Sequence, residues 1–361
     1  MITARLRVAG IGAGYFSRFH LEGWRSIDNV DLVGWCDVDP HKVESLAQEF
    51  ALPRTFEHVE SMLEEAKPDL VDIVTPPPSH AVLTAMAHAR GIPVICQKPL
   101  TPSWQESTAL VDAAERAGVL CVVHENFRFQ PWYREAKRLL DADFLGSPHG
   151  IAFRLRPGDG QGPHAYLDRQ PYFQTMPRLL LVETAVHWID TFRFLLGEVD
   201  AITARLRRVN PVIAGEDAGY LIFEFGNGAS GLFDANRLND HVAADTRRTM
   251  GEMWLEGSAG VLRLDGDARM WWKPHHGPES EHLYDPGPRT FGGGCCAALQ
   301  RHVIAHLTNG APVENAARDY LANLRVQEAA YESHASGRRI ALDGYEPQPT
   351  ATPFTQQRAA V

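Results

Sequence analysis

Apolar residues in the first third of the chain come in short runs, none interrupted by more than one charged residue: Leu6–Ile11, Val30–Cys36, Leu70–Val74, Ile92–Cys96 and Val119–Val123. Each reads as a strand buried on both faces. Between them lie stretches with helical spacing: Phe16–Trp24, His41–Phe50, Ser79–Arg90 before Gly91, and a segment capped by Thr101, with Pro102 first, ending near Gly118. Alternation of this kind predicts parallel strands joined by crossover helices in a doubly wound sheet, whose ligands bind outside the carboxyl ends of the strands.

Near His124 the pattern changes. Helical spacing recurs at Pro131–Leu140 and Glu183–Leu196, followed by alternating runs at Ala218–Phe225, Ala229–Ala235, Gly251–Glu256 and Val261–Leu264 with Gly, Asn and Asp between them. Alternation with such breaks predicts a largely antiparallel open sheet. The expected organisation is an α/β N-terminal domain over 1–124, an α+β domain for substrate and oligomerisation over 125–345, and a loose tail or arm over 346–361. Residues 157–177, with four prolines and three glycines, fit no element. A loop of that length in a compact domain points to function.

Candidate chemistry begins at Gly12-Ala13-Gly14-Tyr15-Phe16-Ser17, between the first strand and first helix. Glycines there let the main chain approach a pyrophosphate, whose charge is met by helix N–H groups. Ser17 takes the place of a third glycine and is small enough for close helix–strand packing. Asp37 ends the next strand, where a carboxylate accepts hydrogen bonds from ribose hydroxyls and disfavours a 2′-phosphate. These residues predict NAD, with NADP the less favoured cofactor.

Two further segments carry reactive groups. Lys98 lies directly after the run that ends at Cys96, where an ammonium can bond a substrate oxygen; the bland alternative is a solvated loop lysine. Glu183 and His187 are four apart on one expected helix, so they share a face. An imidazole titrates near neutrality and suits removal of a hydroxyl proton, with Glu183 orienting it or holding a hydroxyl. The alternative for His187 is a helix-start residue satisfied by backbone.

Bulk properties narrow the classes. At 361 residues there is room for two domains, and 35 Lys+Arg against 45 Asp+Glu leave a net charge of −10. Without a basic run to offset that charge, nucleic acid is not an expected partner. No apolar stretch approaches the roughly 20 residues that span a bilayer. The first strand follows the N-terminus at once, which leaves no space for a leader. Five cysteines in no metal-type spacing fit reduced thiols and a cytoplasmic location, with Cys295 and Cys296 as packing residues and no metal expected.

In combination these motifs resemble the Gfo/Idh/MocA family of glucose–fructose oxidoreductase-like and inositol dehydrogenase-like enzymes. The glycine loop continues to His20; Gln97-Lys98-Pro99 matches the family's Glu-Lys-Pro; Glu183-Thr184-Ala185-Val186-His187-Trp188-Ile189-Asp190 matches its Asp-x-Gly-x-His-x-x-Asp helix. The likeness covers residues 5 to about 342. It implies a Rossmann domain, a catalytic lysine at Lys98, a proton acceptor at His187 and a substrate-binding carboxylate at Glu183. It also implies cofactor contacts from Thr75, Pro76, His80 and Gln97, and places Asn126 in the active cleft. Tyr15 and Phe16 belong to the cofactor loop. Glutamine at 97 removes a charge beside Lys98, which would favour a lower lysine pKa.

The substrate implied is a sugar, glycoside or cyclic polyol. Arg154, Arg156, His164, Tyr166 and Tyr172 around the long loop could bond hydroxyls, and Trp188 could stack on a ring. Rival readings are NAD-assisted glycoside cleavage, a carbonyl or imine reductase, and a cofactor-binding sensor without turnover. An open sheet with one face to cover implies a homodimer or homotetramer.

Overall fold

The computed structural model describes residues 5–348; the expected tail over 346–361 lies almost wholly outside them. Its helices and strands fall into two compact units. The first carries β1 (Leu6–Ile11), α1 (Ser17–Arg25), β2 (Val30–Cys36), α2 (Pro40–Phe50), β3 (Thr55–Phe56), α3 (Val59–Ala66), β4 (Leu70–Ile73), α4 (His80–His88), β5 (Val94–Gln97), α5 (Trp104–Ala117) and β6 (Cys121–His124). All six strands are parallel in the order β3-β2-β1-β4-β5-β6. The order reverses between β1 and β4, which makes the carboxyl end of β1 the switch point. This is the doubly wound sheet that the alternating runs predict.

Local chemistry sets the helix ends. Asp39 caps α2 by accepting from the amides of His41 and Lys42, with Pro40 in the first turn. At α5 the cap is Ser103, whose hydroxyl accepts from the Glu106 amide, and Gly118 ends the helix in the left-handed region at φ 65°. Thr101 is therefore not the cap. Its hydroxyl bonds the Ser103 carbonyl and the Ser107 hydroxyl instead.

The second unit begins with α6 (Pro131–Asp141) and β7 (Pro148–Leu155). A π-helical turn over Leu180–Ala185 leads into α7 (Val186–Leu196). Seven strands follow: β8 (Val199–Arg207), β9 (Ala218–Phe225), β10 (Ser230–Asn236), β11 (Gly251–Gly257), β12 (Gly260–Leu264), β13 (Met270–Pro274) and β14 (Ser280–His282). After them come α8 (Cys295–Asn309), α9 (Ala317–Ser336) and β15 (Ile340–Ala341). The sheet order is β14-β13-β12-β11-β7-β10-β9-β8-β15, antiparallel except where β10 pairs with β7.

One face of this sheet is core, through Phe153, Phe223, Phe233, Leu221, Met253 and Leu255 packed with Trp188, Ile189 and Phe192 of α7. Trp254, Ala152, Leu232, Ile222 and Thr203 are register partners in a row on the other face. Within that row Leu232 and Ile222 are each 41% exposed.

The sequence reading ran the second segment unbroken from 125 to 345, whereas residues 296–322 pack into the first unit. Gln300 of α8 donates to the His20 carbonyl, and Arg318 of α9 reaches Glu115 and Asp112 of α5. The Val123 amide donates to the Asn315 carbonyl, and Val122 and Ala316 form an antiparallel bridge. The otherwise open edge of β6 is covered in this way. Among the described residues, no helix is long and apolar enough to cross a membrane.

Candidate active site

The glycine turn is built by its neighbours. Gly12 has φ +108°, and a β-carbon there would lie 2.3 Å from the Val74 carbonyl oxygen. The Gly12 carbonyl accepts from Trp35 Nε1 and Ser17 Oγ, both at 2.7 Å, and its amide donates to the Cys36 carbonyl. At Gly14 a β-carbon would meet nothing within 4 Å, so the main chain there is open on that side. Helix α1 follows with no side-chain cap and no acidic residue in its first turn. The Ser17 and Phe19 amides donate to the Gly14 and Phe16 carbonyls, and the positive end of the α1 dipole faces the glycine turn.

Asp37 stands at the end of β2 with Oδ2 accepting the Ala13 amide at 2.6 Å and Oδ1 accepting the Asp39 amide at 2.9 Å. Those bonds fix the carboxylate against the turn and leave its other lone pairs for ribose hydroxyls. Turn, helix start and carboxylate meet at the switch point, and together they fit a dinucleotide.

The turn after β4 and the loop after β5 are tied by His80, whose Nε2 lies 2.7 Å from the Thr75 carbonyl and Nδ1 3.0 Å from the Leu100 carbonyl. Burial lowers the His80 pKa, and the two carbonyls only partly oppose that. The neutral ring has one N–H, so His80 donates to one of these carbonyls at a time while packing between the two segments. Thr75 is held by a 2.7 Å bond between its hydroxyl and that of Ser79, next to Pro76.

Gln97 does not aim its amide at the Lys98 ammonium. Its Oε1 accepts from the Lys98 backbone N–H at 2.7 Å, so its Nε2 faces His20 Nε2 at 3.2 Å. In the neutral ring the proton consequently sits on Nδ1, 2.8 Å from Asp72 Oδ2, which also accepts from Trp24 Nε1. Burial opposes charge on His20, and the Asp72 carboxylate more than offsets it, so the pKa is raised. His20 also stacks on His124 at 3.9 Å. Asn126, expected near substrate and cofactor, donates to Cys296 Sγ at 3.1 Å.

In the second unit, His187 is buried and stacked on Phe127 at 3.9 Å with 5° between the rings. One turn on, Asp190 accepts two bonds from Arg128 and one from Asn323, which locks that part of α7. Glu183 is half-buried on the π-helical turn. The four-residue spacing was read as one α-helical face; the extra residue in a π turn changes the phase between Glu183 and His187.

Three loop-region expectations change. Trp188 is fully buried against Phe153, Phe233 and Phe127, and its indole N–H meets the Tyr133 hydroxyl, so it is core and cannot stack on a sugar. Arg156 is buried, paired with Asp234 at 2.6 Å and bonded to the Leu155 and Asp234 carbonyls. Tyr166 is 2% exposed, with its hydroxyl 2.9 Å from Arg237 Nε. Arg154, His164 and Tyr172 remain exposed. Sequence reasoning missed Arg237 altogether: a lone arginine after a strand carries no signal of burial.

Among the described residues no cluster of three or more His, Cys, Asp or Glu could hold a metal ion. All five cysteines are free and buried.

Residues 6–125 match the family model for the Gfo/Idh/MocA oxidoreductases, described as having an NAD-binding Rossmann fold, and residues 133–263 match that family's C-terminal domain model. A D-apiose dehydrogenase from Paraburkholderia graminis is 33% identical over 98% of this chain and 94% of its own. The scyllo-inositol 2-dehydrogenase (NAD(+)) of Bacillus subtilis is 28% identical over 94% of this chain and 98% of its own. An oxidoreductase from Agrobacterium radiobacter, solved with NAD+, L-tartaric acid and magnesium, superposes with a TM-score of 0.86 at 28% identity, covering 94% of this chain and 99% of that one.

Proposed function

The chain belongs to the Gfo/Idh/MocA family of NAD-binding oxidoreductases, and from that premise we propose that it moves hydride between NAD and a hydroxyl-bearing carbon of a sugar, glycoside or cyclic polyol. The observation that carries this reading is the first unit's strand ends. The glycine turn and Asp37 end β1 and β2, and Lys98 follows β5 in the same parallel sheet.

When bound, NAD+ supplies the hydride acceptor. Gly12, Gly14 and the amides at the start of α1 would hold its pyrophosphate and Asp37 its ribose. The Lys98 ammonium donates to the substrate hydroxyl oxygen and stabilises the negative charge that grows as the O–H bond breaks. His187 accepts that proton, its ring plane set by Phe127. Glu183 takes a hydrogen bond from a neighbouring hydroxyl. Relatives named for D-apiose and for scyllo-inositol support a polyhydroxylated substrate with adjacent carbinols.

A panel of aldoses, branched sugars, inositols and glycosides with NAD+ tests the reading through absorbance of the reduced cofactor. Substrate-dependent NADH formation is expected, with NAD+ giving the higher kcat/KM than NADP+. Glycoside breakdown without net NADH would favour the cleavage reading instead, and no turnover anywhere on the panel would leave a cofactor-binding sensor.

We also propose that a second copy of the chain covers the Trp254–Leu232–Ile222 row. Leu232→Glu is expected to shift sedimentation toward the monomer; an unchanged profile from an oligomeric wild type would move the interface elsewhere.

A further inference from the structure

The Pro157–Pro177 segment is not loose. Ala165, Tyr166, Phe173, Leu179 and Ile213 form a small core of their own. Asn210 Nδ2 holds the Gly160 and Gly162 carbonyls, and the Gly160 amide donates to the Arg237 carbonyl at 2.9 Å. At the centre lies the Arg237 guanidinium, 3% exposed, just after β10. Its Nη2 donates to Asp159 Oδ2 at 2.7 Å, its Nε to the Tyr166 hydroxyl, and its Nη1 to the Thr184 hydroxyl. Arg169 is the second cation on Asp159. Burial would raise the Asp159 pKa; Arg237 and then Arg169 override it and hold the carboxyl below its ordinary value.

Burying such a pair for stability alone is a poor choice, because apolar residues of the same volume commonly do as well or better. What the guanidinium provides is direction. Its fork joins the loop, through Asp159 and Tyr166, to the π-helical turn, through Thr184, and Thr184 is the next residue after Glu183. Tyr172, on the same loop, accepts from Gln170 Nε2 at 3.2 Å through its hydroxyl; burial, with the Glu183 carboxylate adding to it, pushes its pKa up to about 12. Its hydroxyl therefore keeps its proton and can donate. A carboxylate that accepts beside a phenol that donates matches one hydroxyl of a polyol.

We propose that Arg237 is a positioning residue: through Thr184 and Asp159 it fixes Glu183 and the Tyr172-bearing loop as a single wall for a hydroxyl of a polyol. This rests on the assignment of Glu183 to substrate made above. The tether lies wholly within the second unit, and its proposed action is on substrate binding and orientation.

Thr184→Val removes the hydroxyl that receives Arg237 while keeping the residue's volume. The expected result is a ten- to hundredfold rise in KM for the best polyol, of the order of one lost bond to a charged group, with KM for NAD+ unchanged. Thr184→Ser is expected to restore wild-type values, which a role in packing alone would not produce. In Glu183→Gln the added Thr184→Val change is expected to have little further effect, because the two act through one contact. Wild-type polyol KM in Thr184→Val overturns the tether. If Glu183→Gln raises KM and Thr184→Val does not, the tether alone falls; if Glu183→Gln itself leaves KM unchanged, the assignment of Glu183 falls and takes the tether with it. Should Thr184→Val fold poorly, Arg237→Lys makes the same test, since an ammonium keeps the charge on Asp159 but cannot span to Thr184 as well.

Discussion

Replacing Lys98 with methionine is expected to cut kcat about 10^3-fold with the best substrate and to leave NAD+ binding and thermal stability nearly intact. The magnitude follows from the role proposed for the ammonium. A single preorganised donor to a developing oxyanion is worth roughly 10^2 to 10^3. Stability should hold because the side chain is only partly buried, and methionine keeps the unbranched stem. The local backbone is secured by other atoms: Gln97 Oε1 takes the Lys98 amide, and His80 packs against the Leu100 carbonyl. His187→Ala is expected to lose a comparable factor. If both groups serve one proton transfer, the double variant falls little further than either alone, since groups that act as a unit are strongly non-additive. Initial rates under saturating NAD+, with cofactor binding followed by fluorescence, check all three variants. Full additivity would mean that the two residues serve separate steps, and near-wild-type kcat in Lys98→Met would remove the ammonium from the chemistry.

How much of this was legible in the sequence depends on whether a residue's signal was local. Five of the six parallel strands showed because each is a mostly apolar run, and β9 over Ala218–Phe225 showed because Tyr220 and Ile222 alternate with Leu221, Phe223 and Phe225. β3 has two residues, too few for any period. α8 and α9 were not visible. In α9, buried Leu321, Leu324, Val326, Ala329 and Ala330 are interleaved with buried Asn323, Gln327, Glu328 and Ser333, so no clean apolar stripe forms. Lys98, Glu183 and His187, proposed here for the site, stand out in the sequence by residue type and by spacing near strand and helix ends. Non-local partners decided the rest. Trp188 sits on the same helix as His187 and faces the aromatic core, and Arg237 takes its meaning from Asp159, 78 positions earlier in the chain. The π turn that alters the phase at Glu183 is likewise set from outside. Its first amides are received by the Glu216 carbonyl and by Glu216 Oε1, and Tyr331 donates to that same oxygen.

Gly12→Ala is expected to abolish NAD+ binding and with it all turnover, a larger loss than any change to a reacting group. Two independent costs fall on one methyl. At φ +108° an L-residue is strained whatever space surrounds it. The added carbon would also lie 2.3 Å from the Val74 carbonyl oxygen and 2.7 Å from its carbon, and Val74, just after β4 and bonded through its amide to the Ile11 carbonyl, cannot move aside cheaply. The turn must therefore give way. It can do so only by breaking the bonds that Trp35 and Ser17 make to the Gly12 carbonyl, and the Gly12 amide's bond to Cys36. Those bonds aim the first amides of α1 and bring Ala13 to Asp37, so the pyrophosphate and ribose contacts are lost together. Gly14→Ala is the control: its β-carbon meets nothing within 4 Å, and that variant is expected to fold as the wild type does and to weaken NAD+ only through the space a methyl takes from the ligand. Isothermal titration with NAD+ alongside a thermal melt separates the cases. A folded Gly12→Ala protein with wild-type affinity for NAD+ would show that the cofactor does not sit on this turn.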